Sequence, residues 1–249
     1  MLSPDNLSVQ LYTLRDRLAV EPAAVFADLA ETGLKNVEPF GLVDFRDALV
    51  AGLAANGLSA PSTHVNLFGD DPTDLDRALD VAAELGVKTV VQPASDRTVW
   101  TEATGVAGIA ERLNAAAAAG ADRGIKVGYH NHWWELETDF DGQTGLDLLA
   151  AQLDVDVVLE VDTYWAKVGG ADVTALLGRL GDRVFALHLK DGDGTRENKN
   201  QVAAGQGSIP ILDYVAAAPG MQLRVLELDD CSTDMTQAVR DSFAYLKGK

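Results

Sequence analysis

Apolar residues along this chain recur in two alternating rhythms. Short runs rich in Val, Leu and aromatic residues are each followed by a longer Ala/Leu-rich segment whose apolar positions recur at helical spacing. The short runs are LSVQLYTL (Leu7 to Leu14), NVEPF from Asn36, SAPSTHVNL from Ser59, TVVQPA from Thr89, KVGYHNH from Lys126, VVLEVD from Val157, VFALHLKD from Val184 and RVLELD from Arg224. The helical segments are PAAVFADLAETG, closing at Gly33, DFRDALVAGLAANG, closing at Gly57, and PTDLDRALDVAAELG from Pro72. Then come an Ala-rich stretch from about Thr101 to Gly120, GLDLLAAQL, ADVTALLGRLG, IPILDYVAAAP and a closing SFAYLKGK. Glycine just past a helical pattern is a C-cap signal, and Pro, Asp or Thr near its start marks the N-terminal end.

Strands alternating with helices imply right-handed βαβ units around a parallel sheet. Eight such units in 249 residues predict a (β/α)8 TIM barrel, an α/β fold, as one domain over residues 1–249. A doubly wound open sheet is the competing architecture. No GxGxxG opens a helix after the first run, which weakens the dinucleotide-binding version of it. No linker, charge block or low-complexity segment divides the chain.

The barrel turns the pattern into a chemical expectation. Its working site is built at the C-terminal ends of the strands, where residues two apart share a face. Gln10 and Tyr12, Glu38, His64 and Asn66, Gln92, His130 and His132, Asp162, His188 and Lys190, and Glu227 and Asp229 stand at those ends. All four histidines of the chain fall in this ring. The densest stretch is KVGYHNHWWELE, from Lys126 to Glu137. Imidazoles and carboxylates cost free energy to bury unless paired or ligated, so such a mixture points to a site. Asp162, His188 and Glu227 lie on the sixth, seventh and eighth runs, an oxygen and imidazole set that suits one divalent cation. The competing reading pairs Asp162 and Glu227 with Lys190 and Arg224 in an ion-pair network. A fourth ligand from the fifth run is open between Glu135, His130 and His132.

Composition narrows the partners. A net charge of −18 argues against nucleic acid and anionic membranes, whose phosphates need a basic face. One cysteine, Cys231, excludes an intrachain disulfide framework and suits a reducing cytoplasm. The N-terminus shows no export signal and no apolar run reaches the length of a membrane span. The expectation is a soluble cytoplasmic protein acting on a small molecule.

VEPFG, STHVN, GYHNHWWELE, LEVDTYW, HLKDGDG and LELD, in this order over nearly the whole chain, resemble the sugar phosphate isomerase/epimerase family of xylose isomerase-like TIM barrels. The resemblance implies one divalent metal ion, often manganese, held by Glu, Asp, His and Glu from strands five to eight. Asp162, His188 and Glu227 are carried over as ligands. Many members place a glutamate inside strand five, where this chain reads Tyr129, His130, Asn131, His132. Glu135 is then expected as the fourth ligand, with His130, His132, Lys190 and Glu227 as catalytic groups and Glu38, His64, Gln92 and Trp165 on the substrate. Imidazoles with a pKa near neutrality would suit proton shuttling. Mn2+ or Mg2+ fits the carboxylate-rich set best, and Zn2+ is compatible with it.

The chemistry implied is proton removal from a carbon beside a carbonyl, giving an enediolate. The expected outcome is isomerisation or epimerisation of a sugar or keto-sugar. The alternative is elimination from an inosose or 3-keto-glycoside. An abasic-site endonuclease is disfavoured by the charge, and a non-catalytic sugar-binding barrel by the surviving ligands. Trp133, Trp134, Tyr164 and Trp165 either stack on a sugar or pack the rim. The Gly192 to Ser208 loop, with glycines at Gly205 and Gly207, either holds a phosphate on its amides or is a solvated lid.

Overall fold

Sheet pairing follows the chain almost in order. The computed structural model describes residues 3–69 and 72–249, without the side chains of Pro4, Pro72 and Thr73. Its strands are β1 (Leu7–Val9), β2 (Ser62–His64), β3 (Thr89–Gln92), β4 (Lys126–His130), β5 (Asp139–Phe140), β6 (Gln143–Thr144), β7 (Val158–Asp162), β8 (Val184–Leu189) and β9 (Leu223–Leu226). Seven of them form one sheet in the order β1-β9-β8-β7-β4-β3-β2, all parallel, while β5 and β6 make a separate two-residue hairpin.

The NVEPF run lies between the two edges of that sheet. It is held by single parallel bridges, Gln10 to Glu38 and Asn36 to Ser59, rather than by a continuous ladder. Glu38 N donates to Val9 O at 2.8 Å, and Val37 N donates to Ser59 O at 2.9 Å. Pro39 has no N–H to extend the ladder, although its carbonyl still accepts from His64 N at 2.8 Å. The NVEPF run, second in the chain, thus joins β1 to the segment leading into β2, as a barrel requires.

Parallel neighbours cannot be joined by tight turns and need crossover helices. These are α1 (Arg15–Val20), α2 (Pro22–Thr32), α3 (Arg46–Asn56), α4 (Pro72–Glu84), α5 (Ala103–Ala121), α6 (Gly145–Gln152), α7 (Thr163–Val168), α8 (Val173–Leu180), α9 (Ile211–Ala217) and α10 (Met235–Leu246). Gly33 and Gly57 end α2 and α3 with φ of 97° and 63°, as their positions in the sequence predict. Three details differ from the periodicity. The second half of the first run, Leu11–Leu14, is a 3-10 turn, because Gln10 Oε1 accepts from Tyr12 N and bends the chain. The closing helix begins at Met235, well before SFAYL, capped by Asp234 accepting from Gln237 N. TYWAKV forms the short helix α7, capped by Asp162.

Alternation along the strands divides the core in two. Val127, Tyr129, Leu159, Val161, Leu187 and Leu189 belong to the main apolar cluster, which they share with the helices. Val158, Ala186, Leu223 and Val225, with Phe185, form a second small cluster. Those four share parity with Glu160, Asp162, His188 and Glu227, so they fill the barrel interior beneath a polar layer at the C-terminal ends.

Candidate active site

Register sets the polar layer. His130 pairs with Glu160 across β4 and β7, and Asp162 pairs with His188 across β7 and β8. Paired residues in a parallel ladder point to the same face, so all four enter the interior. The two carboxylates of β7 are two residues apart and therefore occupy successive layers, Glu160 below and Asp162 at the rim.

Two overlapping groups of side chains with donor atoms close enough to hold a metal ion result: His64, His130, Glu160 and His188, and His130, Asp162, His188 and Glu227. In each group the four donor atoms lie within 4.8 Å of one another, and all these side chains are buried. His188 links the groups, with Nδ1 2.8 Å from Glu227 Oε2 and Nε2 2.8 Å from Glu38 Oε1 and 3.0 Å from Glu160 Oε2. His130 does the same, with Nδ1 3.2 Å from Glu160 Oε2 and Nε2 3.7 Å from Asp162 Oδ2. Each imidazole thus faces a deep carboxylate with one nitrogen and the rim with the other.

Lys190 enters the rim group as a built-in cation. Its Nζ lies 2.8 Å from Asp162 Oδ2, 2.7 Å from Glu227 Oε2 and 3.0 Å from Asp229 Oδ2, while the side chain is 1% exposed. The contact with Asp162 is a buried ion pair. The ion-pair alternative is therefore realised for Lys190. Arg224 takes no part in it, its buried Nε lacking a partner.

Charge states follow from these contacts. Burial opposes charge on Lys190, but Asp162, Asp229 and Glu227 outweigh it and hold the ammonium well above its usual range. Burial likewise opposes charge on His188, and Glu160 and Glu227 outweigh it. Glu227 stays ionised despite burial because Lys190 and His188 face it. Asp162 behaves differently: burial pushes it up to about 6, and its Lys190 contact only partly offsets this because Glu227 repels it. For the Lys190–Asp162 contact, the charged ammonium is the direction set by three carboxylates together.

The HNH segment does not have the near-neutral imidazoles expected of it. Burial, aided by repulsion from His188, pushes His130 down to about 3. Burial and the His130 ring hold His132 well below its ordinary value. Asn131 ties the strand ends together, accepting from Asp162 N at 3.0 Å and donating to Asp162 O at 3.2 Å. His132 stacks on Trp134 with ring centroids 4.3 Å apart.

Glu135, expected as the strand-five ligand, belongs to neither donor group. It sits in a 3-10 turn, Trp134–Leu136, and folds back on the loop that precedes it. Its Oε1 accepts from Tyr129 Oη at 2.7 Å and its Oε2 from His132 N at 2.8 Å. Both oxygens are thereby occupied, and burial pushes the carboxyl up to about 8. The side chain of the fifth run, β4, that faces Asp162, His188 and Glu227 is His130.

A cavity of about 670 Å³ opens over the rim group. Its lining mixes His64, His130, His132, Glu227 and Asp229 with apolar side chains such as Tyr12, Phe40 and Leu42. Of the four side chains expected on substrate, His64 lines this cavity and the other three stand behind its wall. Glu38 is fully buried, bonded to Gln10 Nε2, Ser62 Oγ and His188. Gln92 organises the rim, accepting from Leu67 N at 2.6 Å. Trp165 packs on Trp133 with centroids 4.8 Å apart. The aromatic cluster is thus rim packing around His132.

The glycine loop after β8 carries its own anion. Asp191 accepts from the amides of Gly192, Gly205, Gly207 and Ile209, at 2.8–3.0 Å. The amides considered for a phosphate are therefore spent within the fold.

Two central residues escaped the sequence reading, Glu160 and Asp191. Glu160 was masked by its apolar run, VVLEVD, yet its parity with Asp162 was available as a signal. Asp191, directly after Lys190, gave no such signal because its partners lie 14 to 18 residues away in a loop.

The family model described as "Xylose isomerase-like TIM barrel" matches residues 26–222. The chain belongs to that family. No curated protein sequence matches it. Among solved structures, a sugar phosphate isomerase/epimerase from Parabacteroides distasonis superposes with a TM-score of 0.81 at 22% identity, covering 97% of this chain and 93% of that one. The 3-keto-D-glucoside 4-epimerase YcjR from E. coli, in its apo form, gives 0.69 at 18% identity, with 97% and 98% covered. The IOLI protein, whose structure contains a zinc atom, gives 0.69 at 13% identity, with 97% of each chain covered. At these identities the likeness speaks for the fold. Xylose isomerase-like TIM barrels thus provide the architecture on which this chain's own rim group is mounted. No helix of the described residues is long and apolar enough to cross a membrane.

Proposed function

We propose that the protein is a divalent-metal-dependent isomerase or epimerase acting on a sugar or keto-sugar. The observation that carries this reading is the rim group of His130, Asp162, His188 and Glu227, four donors within 4.8 Å of one another, with His130 and Glu227 also lining the cavity. The donor chemistry fits a metal ion, since two imidazoles and two carboxylates form a mixed oxygen and nitrogen set. His130 takes the place expected of Glu135, because both oxygens of Glu135 are engaged elsewhere. Two nitrogens in the set move the preference from magnesium towards manganese or zinc.

Bound there, the ion supplies Lewis-acid polarisation of a substrate carbonyl. The remaining work falls to the chain. Glu227 is ionised and lines the cavity, so it accepts the proton from the carbon beside that carbonyl. Its Oε2 lies in the rim group beside His188 and Lys190, where it would meet a bound ion, and its Oε1 is left for the substrate. Lys190 keeps the carboxylates of Asp162, Glu227 and Asp229 gathered. Return of that proton by Glu227 to the neighbouring carbon, with the hydroxyl proton passing to the former carbonyl oxygen, gives isomerisation, while epimerisation takes a second proton donor on the opposite face of the same carbon.

Elimination is the second reading, favoured by the adjacent rings of His130 and His132, centroids 5.3 Å apart, both on the cavity. One would take a proton and the other give one to a leaving oxygen. Isomerisation is preferred because burial keeps both rings neutral, so neither holds a spare proton for a leaving group. The test incubates metal-loaded protein with a panel of aldoses, ketoses, inososes and 3-keto-glycosides, followed by mass spectrometry. A product of unchanged mass, formed only with metal, is expected. Loss of water or an aglycone makes the protein a lyase, and full activity after chelation removes the metal from the mechanism.

A further inference from the structure

Glu160 is fully buried on β7, one layer beneath the rim group. Its Oε2 receives three imidazoles from three different strands: His64 Nε2 at 2.6 Å, His188 Nε2 at 3.0 Å and His130 Nδ1 at 3.2 Å. An ionised carboxylate only accepts hydrogen bonds, so each ring nitrogen that faces it carries the proton. A neutral imidazole carries a single N–H, and its other nitrogen is then bare. For His130 that bare nitrogen is Nε2, 3.7 Å from Asp162 Oδ2, whereas His188 meets carboxylates on both sides, so its rim nitrogen Nδ1, 2.8 Å from Glu227 Oε2, carries a proton that a bound ion would displace.

We propose that Glu160 is a positioning residue that fixes His130 as its Nδ1–H tautomer and anchors Nε2–H of His188, so that each ring presents its other nitrogen to the rim. The proposal rests on the reading of His130 and His188 as metal ligands for its consequence, though not for its geometry. Outer carboxylates that hold ligand imidazoles commonly change metal affinity 10- to 100-fold when removed, so an effect in that range is expected, roughly tenfold or more.

The two rings depend on Glu160 unequally. His188 Nε2 has a second acceptor, Glu38 Oε1 at 2.8 Å, which Ser62 and Gln10 also hold in place. His130 Nδ1 has Glu160 alone among the described residues. Replacing Glu160 should therefore release His130 more than His188. A generic packing defect would show no such order.

The test uses the full chain, metal-free, labelled with 15N-histidine, at neutral pH. Long-range proton–nitrogen spectra separate the two tautomers, with the His130 signals assigned from His130→Gln. Wild-type His130 should be protonated on Nδ1, and Glu160→Gln should move it towards Nε2–H while His188 changes less. Titration calorimetry with Zn2+ should then show binding at least tenfold weaker in Glu160→Gln, with partial recovery in Glu160→Asp. Wild-type His130 protonated on Nε2 overturns the proposal whether or not any variant folds. So does a Glu160→Gln variant with unchanged tautomer and affinity, or one that abolishes binding as completely as Asp162→Asn, since Glu160 would then be a ligand itself. Wild-type protein that binds no divalent ion, but shows the expected tautomers, upholds the positioning and sinks the metal reading instead.

Discussion

At the scale of single residues, Lys190 has the largest consequence for the rim group. Its ammonium lies within 3.0 Å of three carboxylates, two of which, Asp162 and Glu227, belong to the metal-binding set. An internal cation and an incoming one compete for the same negative field. Lys190→Met leaves those carboxylates buried without their partner, and breaking a buried pair in this way typically costs about 3–5 kcal/mol. A divalent ion should restore that loss. The expected outcome is a variant less stable than wild type in chelator, with a larger rise in Tm on adding Mn2+ or Zn2+. An equal or smaller rise would mean that lysine and metal do not share a site. Most of this neighbourhood was readable from the sequence, because residues two apart at strand ends share a face. Parity with Asp162 places Glu160 on the same face but not at its depth, and the choice between Glu135, His130 and His132 on the fifth run turns on which oxygens are already occupied; one-dimensional spacing carries neither depth nor occupancy.

At the scale of elements, the turn after β4 shows how a carboxylate can be structural where chemistry was expected. Glu135 clamps the HNHWW segment by accepting from Tyr129 Oη and His132 N. Tyr129 Oη lies 3.0 Å from Ser95 Oγ, which in turn accepts from Trp100 Nε1 at 2.8 Å. The clamp thus joins β4 to the loop after β3. Burial raises the carboxyl from 4.5 to about 8. Between those values the folded chain keeps a proton that the unfolded chain has lost, so this group's contribution to stability falls as pH rises, and is flat above about pH 8. Glu135→Gln removes the titration while keeping one donor and one acceptor for the same partners. Denaturant unfolding from pH 5 to 8 should therefore show the variant gaining on wild type as pH rises. A constant difference across that window would show that Glu135 is ionised throughout. The eight runs and their helices followed from periodicity and glycine caps, since both are local signals. The NVEPF run departs from a regular strand because Pro39 removes one donor, and its partners on both sides are set only by closure of the ring.

At the scale of the whole molecule, the closed parallel sheet gathers carboxylates at one end and the surface adds more, to a net charge of −18. The cavity follows the same sign. Asp44, Asp74, Glu227 and Asp229 line it, against Arg77 as the only lysine or arginine in its wall among the described residues. A duplex carries about one phosphate charge per 1.7 Å of its axis, and a binding protein must offset several of them with lysine or arginine. This barrel offers the opposite field, which argues against an endonuclease reading. The protein should neither retain nor cut a duplex containing an abasic site at physiological salt, with or without a divalent ion. The same repulsion acts within the chain. Salt at about 0.15 M shortens the Debye length to about 8 Å and screens like charges spread over the surface, while buried pairs such as Lys190 with Glu227 are screened much less. Tm should accordingly rise between low salt and 0.15 M in metal-free protein. A fall would mean that surface ion pairs such as Arg123 with Asp76 and Asp80 outweigh the net repulsion. Salt-sensitive retention on the duplex would reopen the nucleic-acid reading.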